Sequence, residues 1–319
     1  MYRPAGCQFF ARKALNLVQV LPETHFYNKN GKMSHITIAK KVFQTLTVAA
    51  DNGKILIKLR PLSTTGTVQD DPFDQWFCEQ IASQLPEFEI IHSGALTTPD
   101  VIVRDRATRE IIGIEVKKVD SDHNGKDSRG LTLDYNSCIP CGQMKIIVGG
   151  KESKIKTYYF FGLISKDQTH LISSVLMDGD FLNYDFDLHI QGKYANTSQY
   201  GHGPYGEGSV RGRAMYNYPN PLNVKIKTFH KKHSLVIKDE QIYQMDNSCL
   251  YESAKIERKD IKDEVINYTQ YVAQDPGEVE SVTDIFSGCK SRTPKKRTAY
   301  MTEISEAPAA YKPIKSEDF

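Results

Sequence analysis

Long apolar stretches are missing from this sequence. No run approaches the ~20 residues that a membrane-spanning helix needs, so no transmembrane anchor is expected. Cysteine is also scarce, with six in 319 residues. Cys138 and Cys141 form a single CxxC, while Cys7, Cys78, Cys249 and Cys289 lie far apart. One pair cannot complete the four-ligand shell of a structural zinc site, and this pattern is no disulfide framework either. Reduced thiols in a cytosolic compartment are therefore expected. No repeat period appears, which argues against a solenoid or propeller. Net charge of either sign is nearly absent, at a formal +2.

That small total hides a strong asymmetry. From 61 to 90 the chain carries Asp70, Asp71, Asp74, Glu79, Glu87 and Glu89 and no Lys or Arg. From 191 to 233 it carries Lys193, Arg211, Arg213, Lys225, Lys227, Lys231 and Lys232 against Glu207 alone. Such a distribution suits a polyanion-binding face beside an acidic, cation-attracting site, and equally two solvated stretches of a mixed surface. The first 22 residues contain Arg3, Arg12 and Lys13 and no acid. They read as a presequence-like segment, a docking helix, or sequence upstream of a start at Met33.

Residues 1–66 read as a small α/β segment, with an amphipathic stretch at 36–48, an Asn52-Gly53 turn and a strand from 55. The polar stretch Ser63–Thr67 reads as a linker. Asp71-Pro72 then starts a helix whose apolar side is Phe73, Trp76, Phe77 and Ile81, and which ends before Pro86. Strand patterns follow at 88–92, 99–103 and 111–117, the last two joined by the short polar RDRATRE. Further strands are expected at 144–148, 157–164 and 171–177, a long loop over 194–223 and a helix over 251–274. Residues 67–289 form the expected core, and 290–319 a basic tail carrying Lys290, Arg292, Lys295, Lys296 and Arg297.

The chemistry-bearing group is Pro99-Asp100 followed, after fourteen residues, by Glu115-Val116-Lys117. In a strand, alternate residues share a face, so Ile112, Ile114 and Val116 can bury while Glu115 and Lys117 share the other side. A neighbouring strand starting at Asp100 adds a second carboxylate. Two carboxylates suit a hard divalent cation, and a nearby ammonium suits the charge that develops on a phosphoryl group under attack by water. A salt-bridged surface strand would show the same residues.

This motif resembles that of the PD-(D/E)xK nuclease superfamily. The resemblance implies a central mixed β-sheet flanked by helices, a restriction-endonuclease-like core preceded here by the small N-terminal segment. It also implies that Asp100, Glu115 and Lys117 are catalytic. Asp100, Glu115 and the backbone carbonyl of Val116 would hold Mg²⁺, for which Mn²⁺ substitutes. Members often add an acid from the preceding helix, for which Glu79 is the candidate.

The stretch Asn136-Ser137-x-x-Pro140-Cys141-Gly142 resembles one found in some type II restriction endonucleases. Asn136, Ser137 and Cys141 are therefore candidate DNA contacts, or part of an ordinary turn into the next strand. The Gly/Tyr-rich segment 200–223 contains a formal Gly201-x-Gly203-x-x-Gly206 dinucleotide fingerprint, but no buried strand precedes it, and Pro204 and Gly208 oppose a helix there. It also sets Arg211 and Arg213 near Tyr216 and Asn217. These residue types pair with guanine, stack or bind phosphate, and pair with adenine. A plain surface loop is the competing reading.

The function these residues imply is Mg²⁺-dependent, sequence-specific hydrolysis of double-stranded DNA to 5′-phosphate and 3′-hydroxyl ends by a type II restriction endonuclease. A homodimer, a cognate methyltransferase and a prokaryotic cytoplasmic location would go with it. The alternatives are a structure-specific repair or recombination nuclease, and a non-catalytic DNA-binding protein on the same fold. No HNH-type His/Asn pattern or GIY-YIG pair is present.

Overall fold

In a computed structural model the described residues are 34–48, 50–51, 54–61, 63–65, 68–70, 72–93, 98–121, 132–135, 139–195, 216–223, 233–244, 249–283 and 285–286. Their order is α1 (His35–Val48), β1 (Ala50–Asp51), β2 (Lys54–Leu56), β3 (Ser63–Thr65), β4 (Val68–Asp70), α2 (Pro72–Gln84), β5 (Phe88–His92), β6 (Val101–Asp105) and β7 (Ile111–Asp120). Then follow β8 (Thr132–Tyr135), β9 (Gln143–Val148), β10 (Lys151–Ile164), β11 (His170–Asp178), α3 (Phe186–Ala195), β12 (Tyr216–Pro219), β13 (His233–Lys238), β14 (Tyr251–Lys259), β15 (Val265–Val272) and β16 (Glu280–Thr283). Among the described residues the protein is mixed α/β with a large mixed central sheet and few helices. Twelve strands form that sheet, whose main path runs β16-β14-β15-β13-β11-β10-β7-β6-β5, with β1, β2 and β9 attached beside it.

The segment that positions the candidate acids is a meander. β5 pairs antiparallel with β6, and β6 with β7. β7 then lies parallel to β10, with Glu115 opposite Tyr159. The turn between β6 and β7 is local chemistry: an Asp105 Oδ1 accepts the N–H groups of Ala107 and Thr108, and Arg109 takes the left-handed conformation at φ 62°.

Both faces of the sheet are covered. On one, Ile112, Ile114 and Val116 join Tyr158 and Phe160 under α1 and α2. The spacing of Phe73, Trp76, Phe77 and Ile81 puts one stripe of α2 on that core, and all four are buried. Phe77 meets Phe160 with ring centroids 4.7 Å apart, and truncating such a buried ring to alanine costs about 3–5 kcal/mol. On the other face Val119, Tyr159, Phe161, Val175 and Met177 pack with Ile139, Met144, Phe181, Leu222 and Phe286.

Several expectations are corrected. Residues 251–274 are not a helix but the antiparallel pair β14–β15. Val265, Ile266, Tyr268, Thr269, Tyr271 and Val272 are β-branched or aromatic and favour a pleated surface. The turn between the strands is fixed by an Asp260 Oδ1 accepting from Lys262 and Glu264, with Asp263 at φ 62°. Ser63–Thr65 is no linker, because it pairs with Val68–Asp70. The long loop expected from 194 contains β12 and a 3₁₀ turn at Pro221–Asn223. The N-terminal segment is built into the main structure: α1 contributes Ile36, Val42 and Phe43 to the first cluster and β2 pairs with β11. The tail 290–319 lies outside the described residues.

Candidate active site

β7 runs on beyond the end of β6. Their last register pair is Val101–Ile114, so the backbone N–H of Val116 has no strand partner on that side. Asp100, the residue before β6, supplies one: its Oδ2 accepts the Val116 N–H at 2.7 Å. Pro99 sets this corner against β7, where a Cβ on Gly113 would come within 2.7 Å of the Pro99 ring. The Pro-Asp step and the glycine opposite it therefore have a shared packing reason.

The three candidate residues meet at that corner. Lys117 Nζ donates to Glu115 Oε1 at 2.5 Å and lies 3.8 Å from Asp100 Oδ2. Glu115 is 2 % exposed, Asp100 17 % and Lys117 30 %, so the acids sit at the base of the site and the ammonium at its mouth. Burial pushes the Asp100 carboxyl well above the usual carboxylate range, and the neighbouring Glu115 pushes it the same way. Lys117 opposes them, Asp74 adds to the upward push, and the Val116 N–H opposes it. Glu115 Oε2 is buried and has no hydrogen-bond partner. A buried carboxylate oxygen with nothing to accept from is costly.

A hard divalent cation fits this donor set. It would satisfy Glu115 Oε2 and relieve the crowding of the two carboxylates. Asp100, Glu115 and the Val116 carbonyl are few ligands, which suits Mg²⁺ because that ion keeps several waters. Among the described residues no group of three or more His, Cys, Asp or Glu side chains could hold a metal.

Glu79 is exposed on α2, and its Oε1 accepts from Gln75 at 2.7 Å. The α2 acid whose charge bears on Asp100 is Asp74. Sequence reasoning counted Asp74 only as one of six upstream acids; its position in the first turn of α2 was the available signal. The rest of that acidic stretch is partly neutralised, with Glu87 paired to Lys41 at 3.1 Å and Glu89 to Arg104.

Cys141 is corrected as a DNA contact. Its side chain is 1 % exposed and burial pushes its thiol up to about 12, so it is an inert packing residue. The segment 139–142 is a clasp on the sheet. The Ile139 carbonyl accepts from Tyr159 Oη at 3.3 Å and His189 Nδ1 at 2.7 Å, and the Pro140 carbonyl accepts from Asn183 Nδ2 at 2.7 Å. Gly142 N–H donates to Asp180 Oδ1 at 3.0 Å, and the Gly142 carbonyl accepts from Thr157 N–H at 2.9 Å. Asp180 is itself held by Lys156, 3.2 Å from its Oδ2, and Lys156 by Asp178 at 2.6 Å. A Cβ on Gly142 would lie 2.1 Å from Asp180 Oδ1, so glycine is required here by the close approach.

Asn136, Ser137, Arg211 and Arg213 lie outside the described residues. Tyr216 and Asn217 fall on β12, which pairs antiparallel with β8 as a separate two-stranded ribbon. The segment containing Tyr216 and Asn217 thus pairs with the strand that ends just before Asn136, a register that the sequence did not reveal. Comparison with protein-family models, with curated proteins and with solved structures found no match. No described helix is long and apolar enough to cross a membrane.

Proposed function

We propose that this protein is a metal-dependent endonuclease of the PD-(D/E)xK type, acting on double-stranded DNA as a type II restriction enzyme. The observation that carries the reading is the corner at Val116: two carboxylates and an ammonium converge there, and Glu115 keeps a buried oxygen without a partner. A partnered surface salt bridge would leave no such oxygen. Helix α2 followed by the β5–β6–β7 meander supports a restriction-endonuclease-like core around it.

The overall step is attack of a water oxygen on the phosphodiester phosphorus and rupture of the P–O3′ bond, leaving a 5′-phosphate and a 3′-hydroxyl. Asp100, Glu115 and the Val116 carbonyl would hold Mg²⁺ or Mn²⁺, which supplies charge neutralisation and a more acidic water. Asp100 is kept in orientation by the Val116 N–H, so its carboxylate needs no reorganisation when the site is loaded. Glu115 is fixed by burial and by Lys117. Lys117, the most exposed of the three, can turn its ammonium to the attacking water or to the developing charge on the phosphate. On this reading a two-fold homodimer supplies the second site for the second strand. A cognate methyltransferase shields the host genome, and the compartment is the prokaryotic cytoplasm.

The test is incubation of the purified protein with unmethylated phage DNA. Discrete fragments in Mg²⁺ or Mn²⁺ that vanish in EDTA support the proposal. A smear would favour a nuclease without sequence choice, and undiminished cutting in EDTA would exclude the metal chemistry.

A further inference from the structure

Thr98 and Glu115 each keep a buried side-chain oxygen, Oγ1 and Oε2, that has no hydrogen-bond partner. Thr98 lies two residues before Asp100 and outside the group of two acids and a lysine. Buried polar atoms are satisfied in most folded proteins, so two such atoms at one corner call for a shared explanation. The two differ in kind. An ionised carboxylate oxygen only accepts, whereas a hydroxyl both donates and accepts.

The backbone around them is fixed. A Cβ built on Gly113 would meet the Pro99 ring at 2.7 Å and Ile155 Cδ1 at 3.1 Å. Gly113 and Glu115 are two residues apart on β7 and share a face, which places Pro99 on the face that carries Glu115. Thr98 is joined directly to Pro99. On its other side, Asp100 is held twice, its Oδ2 by the Val116 N–H at 2.7 Å and its carbonyl by the Ser93 N–H at 2.9 Å. Gly113 and Glu115 are offset by one pleat, ~7 Å along the strand. A divalent ion with one ordered water bridges two protein oxygens across a gap of that order.

We infer that Thr98 is a positioning residue for the cation: Glu115 Oε2 binds the ion, and Thr98 Oγ1 accepts a hydrogen bond from one water of its shell. The inference rests on the nuclease reading above and adds to it the group that orients the ion's water. Water on a divalent ion is a stronger donor than bulk water, because the ion makes it more acidic. A partner of this kind, outside the ligand set, fixes the orientation of the shell, and its loss weakens metal binding. Without the ion the hydroxyl contributes nothing that a methyl would not, since it has no partner. Its contribution therefore shows only in the loaded protein.

The experiment follows thermal unfolding of the full-length parent, Thr98→Val, Thr98→Ser and Asp100→Ala across a Mn²⁺ titration, so that the rise in Tm reports metal affinity without DNA or cleavage. In EDTA, Thr98→Val is expected to unfold within about 2 °C of the parent or above it, because it replaces an unpartnered hydroxyl by a methyl of the same shape. Its half-saturating Mn²⁺ concentration should lie about 10-fold or more above the parent's. Thr98→Ser keeps the hydroxyl and should stay within about threefold of the parent. Equal Mn²⁺ dependence in Thr98→Val and the parent overturns the inference and leaves the nuclease reading standing. So does a Thr98→Ser that behaves like Thr98→Val, or a Thr98→Val that unfolds early in EDTA or fails to fold, since the residue would then be structural. A parent whose Tm does not rise with Mn²⁺, or rises equally in Asp100→Ala, overturns both.

Discussion

Replacing Gly142 with alanine tests whether the buried clasp is as tight as its geometry implies. The new Cβ would meet Asp180 at 2.1 Å from Oδ1 and 2.2 Å from Cγ, so the carboxylate has to leave its place. Leaving it breaks the Gly142 N–H bond and weakens the contact to Lys156. A hydrogen bond to a charged group is worth about 1.5–3 kcal/mol, and crowding a packed site costs a further ~1–3 kcal/mol. Asp180 is 27 % exposed and has an outward path, which argues for the lower half of the combined range, about 3–4 kcal/mol. At about 2–4 °C per kcal/mol for a chain of this order, Tm should fall by roughly 6–16 °C. The assay is thermal and urea unfolding of the parent, Gly142→Ala, Asp180→Ala and the double variant. With Asp180 truncated the obstacle is gone, so Gly142→Ala should then cost less than about 1 kcal/mol, a coupling of about 2 kcal/mol or more. A neutral Gly142→Ala, or strictly additive costs, would refute the clasp.

Other outcomes follow from the same structure. His35 shares a 2.9 Å hydrogen bond with Tyr158 Oη, and burial, helped by Lys156, lowers its pKa from 6.5 to about 4. Between those values the unfolded chain binds the proton and the folded one does not, so stability present above pH 6.5 is lost as pH falls towards 4. The loss from pH 7 to pH 5 is about 2 kcal/mol; His35→Gln should remove it in urea titrations at the two pH values, and an unchanged loss would contradict the assignment. For Asp74→Asn, the Mg²⁺ concentration giving half-maximal DNA cleavage should rise several-fold, while Glu79→Gln should leave it unchanged. The reverse pattern would make Glu79 the third acid.

Much of the candidate site was legible because its signals are local. The alternation of Ile112, Ile114 and Val116 against Glu115 and Lys117 fixes the faces of β7, and the α2 stripe of Phe73, Trp76, Phe77 and Ile81 reports the face it buries. The pairing of Asp100 with the Val116 N–H was not legible, since it depends on where β6 stops against β7. Cys141 was misread because Pro140-Cys141-Gly142 has turn chemistry, while its burial is decided by Asp180 and Asn183, some forty residues away. The 251–274 helix failed because charged residues at 255–264 mimic a solvated helical face, whereas the Asp260 turn sends the chain back along itself. Long-range pairings such as β8 with β12 leave no periodic trace in either segment.

The central claim is most directly tested by the single-turnover rate of phage DNA cleavage in Mg²⁺ for the parent and for Lys117→Ala, with duplex binding in Ca²⁺ measured on the same preparations. Lys117 is the most exposed of the three site residues and touches both acids, so its removal should act on chemistry and not on the core. The account predicts that the parent cuts at discrete sites, that Lys117→Ala cuts at least about 100-fold more slowly, and that binding changes by less than about threefold. Cleavage by Lys117→Ala at the parent's rate would contradict it.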